Sequence, residues 1–412
     1  MKPFVKTILA AAAFAGLAAP AFSEEISFWG WRTEDVAQYE DFIAMFEKEN
    51  PDITVKLRMV EAVSYGTILK TALAGEAGPD VMMVRAYGSF EDLASGGYLM
   101  PLTDDVVPAL KDFPEAALMA ETLRSDETVY AIPFASQTMM MLYNKGMFDD
   151  MGLAAPKTWD DIDAAAQALQ EAGIFPFANG TAAAWQNEVL TFGMGASTMG
   201  KGFYEDVMAG EADFTDPRFV DALTRIQNAS QYFPDGFVGL DYPSSQQLFA
   251  SGMAGMFVGG SYEIAAMKSM NPDIEVGVAP APTVNPDDEG LVAVYYDGGY
   301  AGNAASEHKE AVTKFLNFLA SQEFGQAFAD ELSNISPIPG VKFSNPDLQA
   351  VADLNQNSIP YMMLVHFRFE QPSGSTLVQE NVQKMMAGDE TPEEAGKIIT
   401  DGIATYYEPF QK

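Results

Sequence analysis

Ile26-Ser27-Phe28-Trp29-Gly30-Trp31 opens the pattern from which the rest of the chain can be ordered. This aromatic run reads as a first strand. Glu34 to Asn50 follows as an amphipathic helix, with Phe42, Ile43 and Phe46 on one face and Asn50-Pro51 as its stop. Ile53 to Met59 alternates as a second strand and Tyr65 to Ala74 is helical. Gly75 to Pro79 then breaks the chain ahead of the apolar strand Val81 to Val84. The result is a βαβαβ unit. Its parallel strands bring their carboxyl ends to one edge, where ligands bind in open α/β sheets.

The residues before this unit carry an address. Lys2 and Lys6 precede an apolar, Ala-rich run from Ile8 to Ala21, and Ala21-Phe22-Ser23 offers small residues where a signal peptidase reads. Residues 1–23 are therefore predicted to be a cleaved signal peptide, placing the mature chain in a periplasm. The chain contains no cysteine, which excludes disulfides, thiolate metal sites, thiol nucleophiles and a lipid-anchored N-terminus. The formal net charge is −35, and removing a leader that holds two lysines and no acid makes it more negative. Such acidity disfavours nucleic acid and anionic membranes as partners. With 48% hydrophobic residues the chain folds, and about 390 mature residues exceed what one core usually holds. Two lobes are expected.

Beyond the first unit, helical and strand patterns keep alternating. Ile132-Pro133-Phe134 runs into the strand Met139 to Tyr143 without a helix between, which marks a change of lobe. Thr158 with Asp161 three residues on fits a capping box ahead of a helix over about Asp160 to Ala172. Tyr242 to Ser251 is predicted helical, Ala254 to Val258 a buried strand and Ser261 to Met270 a helix. Val292 to Tyr296 is a strand ending in Asp297-Gly298-Gly299. Glu307 to Ala320 and Gln322 to Leu332 are patterned helices, and the remainder from Pro346 is mainly helical.

Several segments, in this order, carry a family resemblance. They are the aromatic strand at Ile26, Leu73-Ala74-Gly75 through Gly78-Pro79-Asp80-Val81, Tyr130-Ala131-Ile132-Pro133, and Leu142-Tyr143-Asn144-Lys145. Pro156-Lys157-Thr158-Trp159-Asp160-Asp161 follows, then Phe249 to Met256 ahead of Gly260-Ser261-Tyr262, Gly277 to Pro282, and Phe315 to Gln322. Together they resemble the carbohydrate-type extracellular solute-binding proteins of ABC importers, across essentially the whole mature chain. The resemblance implies a two-lobed periplasmic-binding-protein fold of α/β class, type II-like, with a ligand cleft and two or three hinge crossings. It also implies a monomer that closes on a small carbohydrate and delivers it to the importer's permease subunits, with no cofactor. The implied division is residues 24–133 with 300–340 in a first lobe and 138–297 with 345–412 in a second. Crossings fall near 133–137, 297–303 and 340–345.

A sugar needs flat rings for its C–H faces and polar forks for its hydroxyls. At the end of the first strand Trp31 and Arg32 are expected to face ligand, while Trp29 is as easily core. Arg85 and Tyr87 hold the matching place after Val84. Gln137 and Tyr262 stand at positions where the resemblance puts a polar and an aromatic ligand residue, and Trp185 at that of an aromatic platform. Asp297 could accept hydroxyl bonds, with Gly298 and Gly299 letting ligand approach the backbone. Arg368 lies near the last ligand-facing loop, where Ser375 competes for the same role. Three arginines in so acidic a chain keep an acidic or sulfonated sugar as an alternative, since guanidinium binds such groups bidentately.

Enzyme chemistry finds little support. Only His308 and His366 exist, and no Cys/His set has metal-ligand spacing. Gly259-Gly260-Ser261-Tyr262-Glu263 fails the nucleophile elbow at its last position. Acidic pairs such as Asp149-Asp150 lie in turn-like segments and read as surface. A secreted carbohydrate-active enzyme stays the competing class.

Overall fold

The computed structural model describes residues 23–75 and 77–411. The signal segment expected over residues 1–23 lies, apart from Ser23, outside the described residues. The strands are β1 Glu24–Gly30, β2 Ile53–Met59, β3 Val81–Arg85, β4 Thr122–Leu123, β5 Thr128–Val129, β6 Ala131–Pro133 and β7 Ser136–Asn144. After them come β8 Phe175–Phe177, β9 Ala254–Gly260, β10 Val276–Ala279, β11 Val292–Tyr296, β12 Gly298–Gly302 and β13 Ser358–Pro360.

Two larger sheets organise these strands, and β4 and β5 form a small ribbon. The first sheet runs β2-β1-β3-β12-β6, with β1 parallel to both β2 and β3 and β12 antiparallel to β3 and β6. The second runs β13-β11-β7-β9-β8. In it β7 carries β9 along one edge, while β11 and then β10 share the other.

Period-two alternation explains the second sheet's two covered faces. Met139 and Met141 point into one apolar core with Phe192 and Val258, while Met140 and Leu142 point into another with Phe257 and Leu348. A strand buried on both sides needs a run of apolar residues rather than an alternation, and Met139-Met140-Met141-Leu142 supplies one. The first sheet closes around Phe28, whose ring meets Tyr300 and Phe315 edge-on at 5.9 and 5.5 Å. Full burial of such a ring stabilises by about 1.5–3 kcal/mol.

Three connections pass between the sheets. One is β6 to β7, one is β11 to β12, and one is the segment after the helix Gln322–Leu332 that leads to the helix Pro346–Asn355. The backbone of Ser136 bonds to Ile335 in the third of these, so two of the connections lie side by side.

Local expectations hold where local chemistry decides. Thr158 and Asp161 make the reciprocal capping box at the helix Trp159–Glu171, an arrangement whose loss costs about 1 kcal/mol. The main difference lies at Gly298-Gly299. The chain does not stop there as a strand end but starts β12, a fully buried strand of the first sheet. Glycines hide a strand from pattern reading because they carry no side chain to alternate. Trp185 stands in the first turn of the helix Ala184–Met208.

Candidate functional site

Tyr295, near the end of β11, lies between the two sides: burial first raises its hydroxyl pKa, Asp297 and Glu188 add to that, and Arg85 and Arg368 oppose it. Its ring also packs on Tyr361 at 5.5 Å.

On the first side, Arg85 follows the last apolar residue of β3. Its guanidinium lies over the Trp31 ring, 3.9 Å from the centroid, and its Nη1 donates to Asp297 Oδ1 at 3.1 Å. With 40% of its side chain exposed, Arg85 is the polar surface of this wall. Trp31 is only 4% exposed and packs between Tyr65 and Phe134. It thus supports Arg85 from beneath and presents little surface of its own. Arg32 is also buried. Burial pulls its guanidinium pKa down, but Tyr39, Asp35 and Asp297 outweigh that and hold it above its ordinary value. Its Nε is taken up by Asp35. Arg32 is thus buried and paired.

Tyr87 has φ 58° and ψ −130°, a conformation that costs a non-glycine residue about 1–3 kcal/mol. It is held there because its N–H donates to Ala120 O at 2.9 Å and its hydroxyl accepts from Tyr296 N at 3.2 Å. Tyr87 therefore braces the β11–β12 connection from a buried place. Gln137 is likewise consumed. Its Oε1 accepts from Ser261 Oγ at 2.9 Å and its Nε2 donates to Asn334 Oδ1 at 3.2 Å.

The glycines also receive a different explanation. A Cβ at Gly298 would stand 2.3 Å from Val84 O and 2.9 Å from the Trp31 ring; one at Gly299 would stand 2.7 Å from Ala131 Cβ. Close packing of β12 between its neighbours already demands these glycines.

The second side is open. Trp185 is 38% exposed, and its ring meets Tyr242 edge-on at 4.8 Å and Tyr262 at 6.4 Å. Behind these rings Glu263 is fully buried. Its Oε1 accepts from the Tyr242 hydroxyl at 2.9 Å and its Oε2 from Gln246 Nε2 at 2.8 Å. Burial pushes this carboxyl up to about 7 against the pull of those two bonds. Glu188, one helical turn beyond Trp185, is also buried. It accepts from Ser375 Oγ at 3.0 Å and Gln379 Nε2 at 2.7 Å, and burial raises its pKa against the opposing effects of Gln379, Arg368 and Ser375. Arg368 itself is exposed and lines a polar cavity of about 400 Å³ together with Gly88, Ser89, Gln371 and Ser375. Ser375 thus serves Glu188 and also borders the cavity that Arg368 lines.

The two sides touch at one rim. Arg124, gripped by both oxygens of Glu91, lies over the Phe369 ring at 3.7 Å from the centroid. Next to them a Cβ on Gly88 would come within 2.6 Å of Arg368 O.

Sequence reasoning missed Glu188, Tyr242, Glu263, Tyr295 and Tyr361. Glu263 directly follows Tyr262 in the sequence and Glu188 lies three residues past Trp185 on one helix, so both were one step from residues already singled out. Nothing local marked Tyr361. No group of acidic or histidine side chains among the described residues is arranged to hold a metal ion. Nor is any helix among them long and apolar enough to cross a membrane.

Known proteins share this architecture. The chitin oligosaccharide binding protein of a solved structure is 24% identical and superposes with a TM-score of 0.75, covering 93% of this chain and 99% of its own. RafE in complex with raffinose is 22% identical with a TM-score of 0.73, covering 94% and 100%. These likenesses show the two-lobed fold. In sequence, the maltodextrin-binding protein MdxE of Bacillus subtilis is 27% identical over 81% of this chain and 78% of its own length. The multiple sugar-binding protein of Streptococcus mutans is 22% identical over 94% and 90%. The profile of the bacterial extracellular solute-binding proteins matches residues 29–326, most of the described chain. The chain belongs to that family of binding proteins.

Proposed function

We propose that the protein captures a small sugar, oligosaccharide or glycoside in the periplasm, without altering it, and hands it to the permease subunits of an ABC importer. The observation that carries this reading is the pairing of an open aromatic wall, Trp185 with Tyr242 and Tyr262, with a polar wall, Arg85 held by Asp297. Rings suit the C–H faces of a sugar, and guanidinium and carboxylate groups suit its hydroxyls. The relatives whose names include maltodextrin and multiple sugars support the same class. The three connections between the sheets serve as hinges, so that closure brings the walls together on the ligand.

The test is a thermal-shift screen of the mature protein against maltotriose, raffinose, chitin oligosaccharides, free monosaccharides and uronic acids, since a ligand stabilises the folded state by mass action. At least one neutral saccharide is expected to raise the melting temperature and to be recovered intact after incubation. Hydrolysis of that saccharide, or a response to none of them, overturns the reading.

An anionic sugar is the second reading, and Arg368 favours it. Arg32 pairs with Asp35 and Arg85 with Asp297, whereas Arg368 makes no ion pair among the described residues. One free guanidinium against two neutralised ones keeps the neutral sugar ahead. A uronic acid that outperforms its parent sugar in the same screen reverses the order.

A further inference from the structure

Glu263 belongs to neither wall of the cleft, yet the fold goes to some length to place it. It opens the helix Glu263–Met270 at the carboxyl end of β9 and is fully buried. Gly259 leaves it room, for a Cβ there would stand 2.7 Å from Glu263 Cγ. The preceding residue but one, Ser261, is tied to Gln137, and Gln137 to Asn334, so the start of this helix is fastened to the connections between the sheets. Burying a carboxyl costs less where hydrogen bonds replace the water it loses. Here those bonds come from Tyr242 and Gln246 of the helix Tyr242–Ala250, and Gln246 Nε2 also donates to the Tyr242 hydroxyl at 2.8 Å.

We propose that Glu263 is a positioning residue for the aromatic wall: through the Tyr242 hydroxyl it fixes the ring against which Trp185 leans. The proposal rests on the binding reading for its purpose but not for its test. In the ionised form both carboxylate oxygens accept, so the Tyr242 hydroxyl must donate inward. In the neutral form the carboxyl gains a proton that has to be donated. The Tyr242 oxygen is then the acceptor, and its own O–H no longer donates to the carboxyl. Protonation thus reverses one hydrogen bond and changes how firmly the ring is held. The titratable groups facing this set are Tyr242 from its helix, Tyr262 beside Glu263, Tyr295 from β11 and Tyr361, which are all neutral at working pH. No cation contributes to the carboxyl's displacement to about 7, which comes from burial.

The test needs no sugar. Acrylamide quenching and emission are measured from pH 5 to 9 on the full mature protein, and the signal of Trp185→Phe is subtracted to isolate Trp185. The isolated Trp185 signal is expected to titrate with a midpoint of about 7. It should lose that titration in Glu263→Gln, and also in Tyr242→Phe, which keeps the ring and the carboxyl but removes the link. A flat Trp185 signal in the wild type, or a titration that persists in either variant, overturns the proposal. Circular dichroism checks folding, and if Glu263→Gln does not fold, Tyr242→Phe decides alone. Failure here leaves the saccharide screen untouched, so the two readings fall separately.

Discussion

The two walls of the cleft solve the same problem in opposite ways. On the first-sheet side the polar groups neutralise one another. Arg85 is stacked on Trp31 and bonded to Asp297, Arg32 is taken up by Asp35, and glycines let β12 press against β3. On the second-sheet side a ring stands half clear of the protein, and the buried acids Glu188 and Glu263 lie behind it with their own donors. The charged groups that face the first wall are paired with one another before ligand arrives. The second offers unspent apolar surface, and on the proposed reading contact with it is where binding gains most, because covering a ring removes water without breaking any existing bond.

This contrast can be broken by substitution. The largest effect is expected from Trp185→Ala. Affinity for the best saccharide of the thermal-shift screen, measured by calorimetry, should fall by about 100-fold or more, a loss of at least ~2.7 kcal/mol. The melting temperature without ligand should barely move, since the ring is 38% exposed. A large drop in stability would make Trp185 a core residue and erase the difference between the walls.

Gly298→Ala tests the opposite wall. The added methyl meets Val84 O at 2.3 Å, and overpacking of that kind costs about 1–3 kcal/mol of stability in a denaturant titration. If Gly298→Ala instead weakens binding at unchanged stability, the glycine serves the ligand after all.

Glu121 sharpens the comparison through pH. It is fully buried near Asp297, and neither of its carboxyl oxygens has a partner. Burial first, and then the charge of Asp297, raise its pKa well above the ordinary carboxyl range. The folded state therefore resists losing this proton while the unfolded chain does not. Its contribution to stability is complete below the unfolded value and is lost as pH rises toward the folded one. Glu121→Gln should gain stability relative to wild type as pH climbs from 4 to 8, as read from paired thermal melts. A gap that stays constant with pH refutes the assignment.

The smallest effect belongs to the rim. Arg124→Ala removes the guanidinium over Phe369, a contact worth about 0.5–1 kcal/mol where water has access. Ligand dissociation, followed by stopped-flow fluorescence, should quicken a few-fold with the association rate little changed. An unchanged dissociation rate would mean that this contact does not hold the closed form.

How far the sequence could be read depends on how far apart the interacting residues lie. Strand and helix identities through β3, the capping box at Thr158 and the buried run Met139 to Leu142 all follow from neighbours in the chain, and all could be read. The site was read unevenly. Trp185 and Tyr262 stand out as aromatic residues at the mouths of elements, and the structure brings them together. Trp31, Arg32 and Gln137 have the right chemistry in the right places, but each meets a partner that takes up its face or its hydrogen bonds.

Composition and pattern alone determined an α/β chain of two sheets' worth of core, an acidic surface and no thiol chemistry, because these depend on residue type and short-range order. Only the tertiary structure decided which polar groups remain available. Arg85 meets Asp297 across 212 residues, and Gln137 meets Asn334 across 197. A hydrogen bond or ion pair over such a separation leaves no periodic trace in the chain, yet it is what turns one cleft wall into a closed surface and leaves the other open.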